Sequence, residues 1–124
     1  MATGPPLVSI LRQGSYLIAS INTALDDSEM LRFQMDLIDQ IGQHRSRGVI
    51  IDVAALDVID SFVARSLRTI ARTAALRGAA TVIVGIQPDV AVAMVQFRLN
   101  LEPLQAALDL EEALALLNRH TERA

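Results

Sequence analysis

The chain has no cysteine, no tryptophan and no lysine, and only 3% of its residues are aromatic. Without cysteine there are no disulfides, thiolate zinc sites or thiol nucleophiles, a composition compatible with a reducing compartment. With so few aromatics there is no platform on which bases could stack. The basic residues are scattered arginines in a chain of net charge −3, so no cationic stripe tracks a phosphate backbone, and nucleic acid is not an expected partner. No apolar run approaches the roughly 20 residues that span a bilayer. The start, "MATGPPLVSILRQG", lacks a basic stretch leading into a long apolar segment, so the expectation is a cytoplasmic protein with no membrane partner. None of the six glycines forms a GxGxxG or GxxxxGK[ST] phosphate loop, and no serine sits in a GxSxG elbow.

A chain of 124 residues fits one domain with a core of its own. "LVSIL" and "YLIASI" read as a hairpin turning at Gly14, the first an edge strand. Over 25–48 the spacing of Met30, Phe33, Leu37 and Ile41 predicts an amphipathic helix, with acidic residues at its start and Gly48 as its stop. "VIIDV" (49–53) reads as an interior strand, 61–78 as a second helix and "AATVIVGI" (79–86) as a strand, which makes a right-handed βαβ unit with parallel strands. Pro88 opens a short helix to about Arg98 that carries Val92, Met94, Val95 and Phe97. "LEPLQAA" is a candidate last strand. A final helix has Asp109 and Glu112 at capping-box spacing and Leu110, Leu114 and Leu117 as its stripe.

His44 and His120 both fall at predicted helix C-termini, where an imidazole meets the negative end of the dipole, and neither has a second ligand at metal spacing. Asp52, Asp57 and Asp60 form the acidic constellation worth weighing, because α/β proteins bind ligands at the carboxyl ends of parallel strands. Such a trio could hold Mg²⁺ in a phosphoaspartate receiver. The simpler reading has Asp52 end the strand, Asp57 serve the turn and Asp60 cap the helix.

Ser61 follows Asp60 directly in "DVIDSFVARS". At about 100° per residue, Phe62, Val63, Leu67, Ile70 and Ala74 share an arc of roughly 140°, whereas Arg65, Arg68 and Arg72 gather opposite it and Ser61 falls among them. The serine is expected in the first turn, hydroxyl outward. A phosphate there adds about −1.5 to −2 charges. The helix N-terminus favours it by about 0.3–1 kcal/mol. Each nearby carboxylate, at about 6 Å and an effective dielectric of about 50, opposes it by about 1 kcal/mol. These terms are opposite in sign and each is small, so modification should act on a docked partner rather than on the fold. A coupling of about 2–3 kcal/mol weakens binding roughly 30- to 150-fold.

"VIIDVAALDVIDSFVARSL", "GAATVIVGIQPDVAVAMV" and "LDLEEALALL" together resemble the STAS family of anti-sigma-factor antagonists over about residues 7–119. Phe62 and Val63 stand where direct antagonists carry a small, glycine-containing run, which points to the single-domain stressosome branch. The resemblance implies an α/β fold, one STAS domain over 1–124, with a mixed sheet of four or five strands flanked by about four helices. It implies a protein that is not an enzyme and needs no cofactor. Ser61 would be phosphorylated by a serine/threonine switch kinase and restored by a cognate phosphatase. The cap and kinase-docking surface would comprise Asp57, Asp60, Arg65 and Arg68. The expected assembly includes copies of the chain and STAS-containing sensor paralogues, and phosphorylation would release the kinase into stress or sigma-factor signalling. The alternative within the family is a direct antagonist of an anti-sigma kinase. Asp89, after "QP", departs from the small apolar residue expected there.

Overall fold

In the computed structural model, residues 6–122 are described. The elements run β1 (Val8–Gln13), β2 (Tyr16–Ile21), α1 (Asp27–His44), β3 (Gly48–Asp52), α2 (Ser61–Leu76), β4 (Ala80–Val84), α3 (Pro88–Gln96), β5 (Gln105–Ala107) and α4 (Leu110–Glu122). The five strands form one mixed sheet in the order β1-β2-β3-β4-β5. β1 and β2 are antiparallel, with Ile10 opposite Ala19, and the remaining neighbours are parallel, with Ile18, Ile50 and Val82 in successive register. The expected α/β architecture is therefore present, with β1 at the edge.

The strand order explains the layering. Each parallel crossover advances the sheet in the same direction, and right-handed crossovers that never reverse leave their helices on one face. Leu17, Ala19, Val49, Ile51 and Ile83 accordingly point at Phe33 and Leu37 of α1, Leu67 and Ile70 of α2, and Val90 and Met94 of α3. The alternate residues, Ile50, Val82, Val84 and Ala107, point the other way and meet Ala113 and Leu117 of α4. Each fully buried Leu or Ile removes enough apolar surface to contribute about 1.5–3 kcal/mol.

Three expectations need correction. The first helix does not stop at Gly48: its C-cap is Arg45, in a left-handed conformation with φ 49°, and Gly48 opens β3. A Cβ at Gly48 would stand 2.8 Å from the Leu117 methyl groups and 3.0 Å from Tyr16 Cδ1, so this glycine serves packing under α4. On α4, Leu117 is buried and Leu114 partly so, but Leu110 is exposed and Ala113 takes the inward position. α3 ends at Gln96 rather than Arg98. Phe97 becomes its C-cap and Arg98 turns the chain with φ 56°, which carries the phenyl ring out of the core.

Candidate functional site

The carboxyl ends of β3 and β4 lie side by side, and the joints that follow them build the site. After β3, Val53, Leu56 and Ile59 are buried, while Asp57 and Val58 stand outside. Three apolar anchors thus pin residues 53–60 to the core without regular secondary structure. The Asp52 carboxylate accepts a hydrogen bond from the Ala54 N–H at 2.9 Å, turning the chain as it leaves the strand. Asp60 is extended, and its Oδ1 accepts from the Val63 N–H at 2.9 Å. This cap satisfies one of the orphan donors of α2. Ser61 is the first helical residue and is exposed. Behind it Phe62 and Val63 are partly buried against the core, and Ala64, Leu67, Ile70, Ala71 and Ala74 are buried.

The joint after β4 comes within van der Waals distance of this one. Gly85 has φ 82°, and a Cβ there would meet Ala54 Cβ at 2.9 Å and Ala54 N at 3.0 Å. Only glycine meets both the backbone sign and the space. Gln87 then reaches back, its Nε2 donating to the Ala54 carbonyl at 2.9 Å and to Asp57 Oδ1 at 3.4 Å. Pro88 starts α3 at its first turn. The two joints therefore form one rim.

Between that rim and α3 lies an open groove of about 440 Å³, bounded by Asp57, Val58 and Ser61 on one side and by Asp89, Ala93 and Phe97 on the other. Val58 and Phe97 are 68% and 75% exposed. Its floor is apolar and its rim bears the carboxylates of Asp57, Asp60 and Asp89. Among its lining residues Ser61 supplies the one hydroxyl.

Of the sequence-predicted site residues, Asp57, Asp60 and Ser61 come together along this groove. Arg65 is exposed one turn further along α2. Arg68 is partly buried, and its guanidinium donates to the Asn100 carbonyl, tying α2 to the chain after α3. Asp52, Asp57 and Asp60 each have a separate hydrogen-bonding task, and among the described residues no three His, Cys, Asp or Glu side chains converge as metal ligands. His44 and His120 lie in the last turns of α1 and α4. Sequence reasoning missed Val58, Gln87 and Phe97 as builders of the rim. The "QPD" turn signal marked the place, but the reach of Gln87 to Ala54 depends on two strands being neighbours.

A family model described as the STAS domain matches residues 8–113. The chain belongs to the STAS family. Its fold matches a solved serine-to-glutamate variant of RsbS from Moorella thermoacetica with a TM-score of 0.79 and 35% identity, covering 93% of this chain and 97% of that one. A chain from a structure of the stressosome, described as a signal integration and transduction hub, aligns with TM-score 0.71 and 31% identity over 91% of this chain and 98% of that one. A curated relative, the RsbT co-antagonist protein RsbRA of Bacillus subtilis (strain 168), is 25% identical over 99 residues, 80% of this chain and 36% of RsbRA. The chain thus spans about a third of that relative's length. Among its described residues no helix is long and apolar enough to cross a membrane.

Proposed function

We propose that this STAS protein is a phospho-switch and scaffold of a stressosome-type assembly, acting in the cytoplasm and carrying out no catalysis of its own. In its unmodified form it holds a serine/threonine switch kinase captive. Phosphorylation of Ser61 by that kinase releases it to start stress or sigma-factor signalling, and a phosphatase resets the serine. The assembly combines copies of this chain with longer STAS-containing sensor paralogues. The observation that carries the reading is the exposed Ser61 hydroxyl at the first turn of a capped, core-anchored helix. The likeness to RsbS and to a stressosome chain supports it. A capped helix start fixes the place from which the Ser61 side chain projects, and the groove alongside offers exposed apolar surface for a docked protein. Asp57, Asp60 and Arg65 frame that surface, and Arg68 braces it through Asn100.

The release follows from local charge. A phosphate would join the carboxylates of Asp57, Asp60 and Asp89, so a partner shaped to a neutral hydroxyl meets both bulk and added negative charge. The test is incubation with the kinase of the same organism and ATP, followed by mass spectrometry. Acid-stable phosphate is expected on Ser61 alone, and normal labelling of a Ser61→Ala variant would refute the site. Co-purification with the sensor paralogues should give a megadalton particle. A one-to-one complex with an anti-sigma kinase would instead favour the direct antagonist.

A further inference from the structure

The sheet ends on one side at β1, and no described strand lies beyond it. Its pairing with β2 settles which of its backbone groups are used. The Leu7 carbonyl accepts from the Asn22 N–H at 2.8 Å, and the register continues without a bulge, with Ser9 opposite Ser20, Leu11 opposite Ile18 and Gln13 opposite Tyr16. Hydrogen-bonded pairs alternate along an antiparallel ladder, so it is these odd-numbered residues that bond to β2. The N–H and C=O groups of Val8, Ile10 and Arg12 therefore point outward from the sheet. Such a row is a template for another strand unless it is blunted, and β1 carries no proline, no bulge and Arg12 as its one charge.

The side chains add a charge pattern. Val8, Ile10 and Arg12 stand opposite Ile21, Ala19 and Leu17, which face the core beneath α1, so Arg12 projects on the α1 side of the sheet. At the Val8 end of the strand, Leu7 and Val8 share a hollow of about 120 Å³ with Glu29, Arg32 and Asp36 of α1. Arg12 and Asp36 are both exposed, but Arg12 lies about 13 Å further along the strand than Val8.

We infer that the free edge of β1 is a homodimer contact, pairing antiparallel with β1 of a second copy so that Ile10 lies opposite Ile10. Antiparallel pairing is self-complementary under a two-fold axis, so a second copy offers donors and acceptors in the order required. Centred on Ile10, the pairing sets Val8 against Arg12 at both ends and uses every outward group, for about six hydrogen bonds. Slipping one way would place Arg12 against Pro6, which has no N–H. Slipping the other way would place Val8 against Gly14 in the hairpin turn, where φ is 59°. The same register carries Arg12 of each copy to the Val8 end of the other, where the carboxylates of Glu29 and Asp36 outnumber the guanidinium of Arg32, an arrangement complementary in charge. On the opposite side of the sheet Leu11 is 65% exposed. It comes to lie across from Ser9 of the second copy, in a non-hydrogen-bonded pair where side chains approach most closely. The contact gives a geometry to the copies invoked above but does not depend on Ser61, since none of its residues lines the Ser61 groove.

The test is sedimentation equilibrium of the unmodified full chain, paired with amide hydrogen exchange. A monomer–dimer equilibrium is expected with a dissociation constant of about 100 μM or tighter. Protection at Val8, Ile10 and Arg12 should rise with protein concentration, while Ser9 and Leu11 stay protected throughout. Arg12→Glu should weaken the dimer roughly tenfold, and combining it with Asp36→Arg should restore the dimer. Arg12→Pro removes an outward N–H that β2 does not use and should weaken the dimer roughly tenfold or more; if this variant melts early, the charge swap alone decides. A monomer at about 1 mM, protection at Val8, Ile10 and Arg12 that ignores concentration, or an unchanged dimer in both Arg12→Glu and Arg12→Pro would each overturn the inference. Protection of these amides only when a different protein is added would overturn the second copy as the occupant. Ser61 labelling in a strictly monomeric chain sinks this inference and leaves the phospho-switch standing, whereas a dimer without Ser61 labelling does the reverse.

Discussion

The joints after β3 and β4 solve the same problem in different ways. Both carry the chain from a parallel strand to the start of a helix at the same rim. The joint at 53–60 is long, held by three buried apolar anchors and finished by an aspartate cap. The one at 85–87 is short, depends on a left-handed glycine and a proline at the helix start, and has no side-chain cap on its helix. The long joint can expose Asp57, Val58 and Ser61 because its anchors carry its stability, whereas the short joint spends its residues on fitting against Ala54. Presentation and support are thus divided between two neighbouring loops, and Gln87 fastens one to the other.

The largest effect should come from the supporting joint. Gly85→Val forces a side chain into positive φ and against Ala54, and should cost about 2–4 kcal/mol, read as a lower urea midpoint. A loss below about 0.5 kcal/mol would mean that the two joints are not in register. Asp60→Ala should cost about 1 kcal/mol through the lost cap, with Asp60→Asn recovering most of it. Gln87→Ala should cost about 0.5–1.5 kcal/mol and raise hydrogen exchange at Ala54 and Asp57 before it does so in α2. Ser61→Asp should change stability by less than about 0.5 kcal/mol while weakening kinase binding roughly 30-fold or more; a collapsed melt would make Ser61 structural.

The smallest effect contrasts the cap of α2 with that of α1. Asp26 lies in a capping box, and its carboxyl is held below its usual value of 3.8, first by the Glu29 N–H and next by the Ser28 hydroxyl. A folded-state value below the unfolded one means that its contribution is present above about pH 4 and is lost as pH falls through the lowered value. Asp26→Asn should therefore flatten the acid limb of the stability curve slightly between pH 5 and 3, measured as urea midpoints. An unchanged limb would show that this carboxylate is not a source of the acid sensitivity.

Much of the architecture was readable because its periodicities were strong. Met30, Phe33, Leu37 and Ile41 marked α1, and continuous apolar runs marked β3 and β4. Capping chemistry placed Asp60 and Ser61 at the start of α2 to the residue. The errors fell where a distant element decided the outcome. Gly48 read as a helix stop, and it is needed because Leu117, 69 positions later, lies on top of it. Phe97 follows Val90 and Met94 at helical spacing, but the helix ends one residue too early to bury it. Arg68 read as part of an open arginine face, and the Asn100 carbonyl takes up its guanidinium.

Local sequence by itself determined the elements, the cap and the outward-facing serine, because hydrophobic spacing and the needs of unpaired helix N–H groups act over a few residues. It also determined the family, through motifs spread along nearly the whole chain. Only the tertiary structure decided that Asp57, Ser61, Asp89 and Phe97 share one groove and that Val8 and Asp36 share one hollow at the sheet edge. Strand order and helix layering bring together residues tens of positions apart, and close packing then leaves space only where the pieces do not fully meet.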